Sequence, residues 1–455
     1  MKAAILSICM LFFITVPAFQ QNQWSLEQCI SHALQNNLQL KVQEINTAYY
    51  KNYYRQSLLN VLPSLNASGS YSISSGRALD MTTYQYTENE TVKSMNASLN
   101  ASVTLFDGFQ KINTIQQNRY RVLAGIEEVE KFKDDMALNL ALAYLQLLLD
   151  RELADVSMQQ LEISKLQLQR SKSLMEAGSI PQSKFLEVQA QVANDELSLV
   201  NAKNQIDLSL LNLKQMLDLD TVKAFDIIKP DFTNFPISDI SSSVEDIFQV
   251  AEANLPQIKQ SEYSLKSSQR GLRVARGMRF PSLSLSYSYG SAYSDSRSRV
   301  VGKDPNSGQP IYGNYPFKNQ INDNISGTIS LGAQVPIFNG WATNTSISNA
   351  KLDVLNSEYQ LEIAKKNLFK QIQQAQTDAL AAFKKYYAAE NAVRSSEESF
   401  RSISQKFELG LINFVDYSAS RNQLALAQSN LLQAKFNYIF KSKVLEFYKN
   451  GEVKL

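Results

Sequence analysis

His32 is the only histidine in the 455-residue chain, so acid–base catalysis or metal binding by imidazole would have to rest on one side chain. It lies on a predicted helix with no histidine partner, and a surface or packing role suits it better than catalysis. The sequence has no nucleophile elbow, no glycine-rich phosphate loop and no His/Cys/Asp/Glu cluster at metal-ligand spacing. Cysteine is equally sparse. Cys9 falls in an N-terminal segment expected to be removed, and Cys29 then stands alone, so the mature chain can form no internal disulfide. The expectation is therefore a non-enzyme with no catalytic residue, cofactor or metal. Function falls to shape, charge and assembly. With a net charge of +2 and lysine and arginine scattered along the chain, no nucleic-acid partner is expected either.

The N-terminal run MKAAILSICMLFFITVPAFQQ has one basic residue, fourteen uncharged residues from Ala3 to Val16, and small residues Val16 and Ala18 placed as at a signal-peptidase site. Fourteen residues cannot span a bilayer, so residues 1–19 read as a secretory signal. Neither cysteine is placed for lipoprotein processing. No later apolar run is long enough for a membrane helix. If the exported chain enters a membrane, it must do so as β-strands.

The rest of the chain is a tandem duplication. SLEQCISHALQNNLQLK at Ser25 aligns with SVEDIFQVAEANLPQIK at Ser243, and VLPSL at Val61 aligns with RFPSL at Arg279, both at an offset of 218. VTLFDGF at Val103 aligns with VPIFNGW at Val335, and MEAGSIPQSKF at Met175 with FELGLINFVDY at Phe407, both at an offset of 232. Each repeat, 24–217 and 244–450, reads helix, strand, loop, strand, long helix, turn, helix. Residues 218–243 form a linker and 451–455 a short tail. The helical patterns run over 26–61, 108–176 and 182–217, then 244–279, 341–408 and 414–449. The long members reach roughly 100 Å at 1.5 Å per residue. Apolar residues at 3-4 spacing, such as Val129, Phe132, Met136, Leu140, Ala143 and Leu147, indicate coiled-coil packing. An ordinary helical bundle explains the stripes but not the lengths.

Strands are expected at 64–73, 95–105, 282–290 and 325–335. In MNASLNASVTL, apolar Met95, Ala97, Leu99, Ala101, Val103 and Leu105 alternate with asparagine, serine and threonine. Ten or eleven residues suit a tilted strand in a bilayer, with tyrosines at the interface and hydroxyls toward water. A soluble antiparallel sheet packed on helices would alternate in the same way. Strand number adds a constraint, because four strands cannot close a barrel and open edges are not tolerated in lipid. Three copies would supply twelve. The intervening segments 74–94 and 291–324 read as long polar loops.

With this set of features the chain resembles the TolC-like outer-membrane efflux protein family. The features are the duplication, the LPSL and FPSL entries into strands, the LFDGF and PIFNGW exits, and the turns EAGSIPQSKF and ELGLINFVDY. The resemblance covers nearly the whole mature chain. It implies a mainly α fold with transmembrane β, a homotrimer with a twelve-stranded barrel in outer-membrane lipid, and a coiled-coil barrel of helices in the periplasm. It also implies docking to a periplasmic adaptor protein and an inner-membrane transporter, with export through a tripartite efflux or type I secretion system. An elongated periplasmic or surface coiled coil without a pore is the alternative reading.

Gly178 and Gly410 sit where long helices reverse, a place for a residue without Cβ. By the resemblance, Gly178, Ser179, Ile180, Gly410, Leu411 and Ile412 form the adaptor-docking tips. Asp416 matches a carboxylate that rings the entrance in the family. The chain departs from the family pattern at Ala419, where a second acid is expected, and at Lys184, a place that is often acidic. Phe407 and Ile412 stand where a tyrosine and an arginine latch some closed entrances. The expected periplasmic gate is thus Asp416, Lys184, Phe407 and Ile412, with Lys184 and Asp416 meeting between neighbouring hairpins.

Overall fold

The computed structural model describes residues 23–79, 86–219, 225–230 and 242–451. The expected signal segment, most of the linker and the tail beyond 451 lie outside the described residues. The first repeat begins with the two-residue strand β1 (Gln23–Trp24) and continues through α1 (Leu26–Asn36), α2 (Leu38–Leu59), β2 (Ser64–Leu79), β3 (Tyr86–Phe106), α3 (Gln110–Glu176) and α4 (Gln182–Met216). A short strand, β4 (Asp226–Ile227), precedes the second repeat. That repeat contains α5 (Val244–Asn254), α6 (Pro256–Gly277), β5 (Ser282–Ser294), β6 (Ser298–Lys303), β7 (Pro310–Asn314), α7 (Phe317–Asp323), β8 (Ser326–Gln334), α8 (Ala342–Glu408) and α9 (Phe414–Asn450). No helix of the described residues is long and apolar enough to cross a membrane.

The first helix of each repeat, expected to be continuous, is broken in two. Asn37 is extended (φ −60°, ψ 123°). Its N–H closes α1 on the Ala33 carbonyl, and its Oδ1 accepts from Leu40 N–H at 3.0 Å to open α2. At the matching place Leu255 is extended because Pro256 follows, and proline disfavours the α region in the residue before it. Ser25 and Gln28 form a capping box at the start of α1, and Ser243 caps α5 in the same position of the second repeat.

Contacts divide the chain into two compact units, and each draws on both repeats. Among the described residues, one combines those up to Gln43, those within 129–256 and those from Lys365 onward. Its core packs Leu26, Cys29 and Leu40 against Leu140, Tyr144 and Leu147 of α3, with Leu213, Ile227 and Ile439. The predicted stripe on α3 is largely this core: Val129, Met136, Leu140, Ala143 and Leu147 are buried. Tyr144 sends its hydroxyl to the carbonyls of Ile228 (2.5 Å) and Trp24 (3.1 Å), fastening the parallel pair β1–β4 to α3. Burial, aided by Glu27, pushes the Cys29 thiol up to about 12, so it stays protonated and unreactive at neutral pH. His32 packs edge-on against Trp24, a packing role.

The other unit combines 44–128 and 257–364 and contains a four-stranded antiparallel sheet in the order β2-β3-β5-β8. Two expected loops carry regular structure. The β2–β3 ladder pairs as far as Leu79↔Tyr86, well beyond the expected end near 73. The segment after β5 holds the β6–β7 hairpin and α7. Gln320 of α7 accepts from Ser294 N–H at 3.0 Å and donates to the Ser294 carbonyl at 2.9 Å.

Candidate functional site

Register converts the alternating sequence into two different surfaces. One row across all four strands is Ser64↔Ser102↔Ser286↔Ser330, and a second is Asn66↔Asn100↔Ser288↔Thr328. Neighbouring hydroxyls meet at 2.9 Å for Ser64–Ser102, 2.8 Å for Ser68–Ser98 and 2.7 Å for Ser72–Ser94. Ser288 Oγ lies 2.8 Å from Asn100 Oδ1, which carries the network across the middle of the sheet. The opposite face holds Leu65↔Ala101↔Tyr287↔Ile329, with Leu65 and Ile329 64% and 74% exposed. Water suits the first face. Exposed aliphatic and aromatic side chains in such number indicate that the second is covered by something apolar. Among the described residues β2 and β8 each pair on one side only.

Strand-to-helix exits are built alike in the two repeats. DGF and NGW place two consecutive residues at positive φ: Gly108 and Phe109 at 68° and 65°, Gly340 and Trp341 at 62° and 69°. Gly108 has no alternative, because a Cβ there would lie 2.4 Å from the Gly277 carbonyl oxygen.

The two helical reversals also share one geometry. Gly178 (φ 71°) donates to the Met175 carbonyl at 2.9 Å, while Ser179 N–H reaches back to Leu174 at 2.8 Å. Gly410 (φ 73°) donates to Phe407 at 3.0 Å and Leu411 to Lys406 at 2.9 Å. Each is a Schellman motif. Gly178, Ser179 and Ile180 thus share one turn, and Gly410, Leu411 and Ile412 the other. Leu411 is 70% exposed, with Leu409 and Val415 also open, so the second tip is an apolar surface.

Phe407, Ile412 and Asp416 lie at the reversal between α8 and α9, and Lys184 lies in the first turn of α4, beside the other reversal. Asp416 is exposed at the third position of α9, where its backbone N–H is capped by Asn413 Oδ1 at 2.9 Å; its charge also favours the positive helix end. Lys184 Nζ lies 2.9 Å from Glu187 Oε2 on its own helix. Phe407 stacks on Tyr417 with ring centroids 4.5 Å apart and lies near Phe414. It therefore braces α8 against α9, and the buried Tyr417 hydroxyl has its pKa raised by desolvation.

A cluster that sequence reasoning missed lies along the same helices. Arg421 of α9 is 3% exposed and donates to Asp195 Oδ2 of α4 at 2.7 Å. Ser164 of α3 donates to the same carboxylate oxygen. Ser418 and Gln191 add a contact at 3.3 Å. The first hairpin is thus tied to the second by a buried charge pair. Its members are distant in sequence, and each alone reads as a solvated helix position, so no local signal marks it.

The sequence profile of a family described as outer membrane efflux protein matches residues 29–218 and 247–446. The toluene efflux pump outer membrane protein TtgC of Pseudomonas putida is 22% identical over 432 residues, covering 90% of this chain and 79% of TtgC. The outer membrane protein TolC of Escherichia coli is 22% identical over 391 residues, covering 83% of this chain and 72% of TolC. Among solved structures, that of CusC superposes with a TM-score of 0.79 at 17% identity, over 94% of this chain and 92% of that one, a likeness of fold.

Proposed function

The chain belongs to the outer membrane efflux protein family, and from that premise we propose that three copies join their sheets into one twelve-stranded barrel continued by a barrel of helices. The protein is an outer-membrane efflux channel whose helices extend into the periplasm. It conducts solutes outward and passively. The observation that carries the assembly is the sheet: rows of hydroxyls on one face, exposed apolar side chains on the other, and outer strands β2 and β8 paired on one side only. Unpaired backbone cannot face lipid, so β8 of one copy must meet β2 of the next.

The hairpin tips fit a docking role. Their Gly-closed turns present Leu411 and its exposed apolar neighbours to the helical tips of a periplasmic adaptor, which in turn joins an inner-membrane transporter of a tripartite or type I system. Asp416 rings the entrance, and Lys184 of a neighbouring hairpin holds it closed. The test is extraction from outer membranes in detergent. A heat-modifiable particle of three chains that conducts in planar bilayers is expected, whereas a soluble monomer overturns the reading.

A further inference from the structure

The hydroxyl face of the sheet carries no charged side chain over 64–74, 94–104, 282–288 or 326–334. At its helix end lies a cavity of about 590 Å³ whose walls include Ser64, Ser102, Thr104 and Ser284 from the sheet, with Arg55 of α2 and Lys111 of α3. Among the described residues neither cationic side chain has a hydrogen bond or ion pair. The neighbouring acid, Asp107, is committed to capping α3, where its Oδ2 accepts from Lys111 N–H at 3.0 Å.

The matching junction of the second repeat is also basic. Arg270, Arg273, Arg276 and Arg279 recur at every third residue through the end of α6, and Arg273 holds the repeat position of Arg55. Arg279 bonds Asn344 Oδ1 at 2.6 Å and Arg270 reaches Asn113 Oδ1 at 3.5 Å, both neutral partners. None of the four has an ion pair among the described residues. The fold thus brings Arg55 and Lys111, distant in sequence, to one cavity, while the run from Arg270 to Arg279 is basic in the sequence itself.

We propose that Arg55 and Lys111 form an anion-binding station on the lumen wall, taking solutes that carry a carboxylate, phosphate or sulfate group. This rests on the reading of the hydroxyl face as the wall of a water-filled channel. An uncharged wall offers no counter-charge, so field lines from unpaired cations reach into the lumen and concentrate anions there. Three copies would place six such charges around it. Open to water, the cavity holds an anion weakly, as a conduit requires if what enters is also to leave.

The experiment is planar-bilayer recording of the detergent-purified protein in a dilute KCl gradient, since the Debye length falls from about 30 Å at 0.01 M to about 3 Å at 1 M, and high salt would mask the effect. Relative to wild type, Arg55→Gln/Lys111→Gln should lower the anion-to-cation permeability ratio about threefold or more. Millimolar citrate should reduce wild-type conductance and leave that variant unaffected. The charge-conserving Arg55→Lys/Lys111→Arg should behave as wild type, which separates charge from fold. If the neutral double variant fails to assemble, Lys111→Gln alone is measured against the same expectations. An unchanged permeability ratio together with retained citrate block in a conducting neutral variant overturns the station. A wild-type protein that forms no pore overturns the channel reading, and the station with it.

Discussion

Arg421 and Asp195 are charges withdrawn from water between helices, and their stability depends on each other. Arg421→Met leaves an unpaired buried carboxylate and should cost about 3–5 kcal/mol, whereas Arg421→Met with Asp195→Leu should cost much less. Chemical unfolding in detergent, followed by helical circular dichroism, reads the difference. An equal loss in both variants would show that the pair is not energetically coupled. Asp134 poses the opposite case. Burial, with Glu130 and Asp135 adding to it and Lys133 opposing, lifts its carboxyl to about 6. Below about pH 4 the native and unfolded states are both protonated, and the residue carries no penalty. Between about pH 4 and 6 only the native state keeps its proton, so stability falls as pH rises, and the penalty is complete above. Asp134→Asn should therefore gain about 1 kcal/mol at pH 7 after allowance for solvent screening, and nothing near pH 4.

At the scale of the element, the sheet makes a sharp distinction between adjacent residues. Leu99 and Asn100 are neighbours on β3, both flanked by β2 and β5, yet they face opposite sides. Leu99→Lys would put an ammonium into the apolar layer at a cost of about 2–4 kcal/mol. Asn100→Lys would put it into water. The yield of heat-resistant assembly in outer membranes should drop sharply for the first and little for the second. Equal yields would mean that the apolar face does not meet lipid. The long helices raise a different issue. Their length comes from unbroken helical pattern, but their closure comes from Gly178 and Gly410, whose positive φ is cheap for glycine and strained for any residue with a Cβ.

For the whole molecule, the proposed gate would close through contacts between copies. Lys184 would have to leave Glu187, but an exposed pair one helical turn apart contributes at most a few tenths of a kcal/mol, so the exchange costs little. In the proposed trimer, three Asp416 carboxylates around one axis would repel each other unless countered. Lys184→Ala/Asp416→Ala should raise single-channel conductance; an unchanged value sinks the gate. Phe407, in contrast, has a job inside its own hairpin, where it stacks on Tyr417. A substitution there should loosen α8 against α9 before it affects any neighbour.

Features set by nearby residues could be read from the sequence. The duplication, the two-faced strands, the DGF and NGW exits and the glycine turns depend on residues a few positions apart, where backbone sterics and side-chain periodicity act directly. Strand length was only partly legible, because hydroxyl pairs such as Ser75–Thr91 extend the β2–β3 ladder where the apolar alternation has faded. The break at Asn37 was missed because it depends on one side chain capping the next helix. What only the tertiary structure decided were the meetings at long range: β3 beside β5 across the two repeats, Arg421 sealed against Asp195, and Arg55 and Lys111 brought to one cavity, neither in an ion pair among the described residues. Such pairings depend on which surfaces the folded chain brings together, and the energy of a charge depends on its surroundings far more than on its neighbours in sequence.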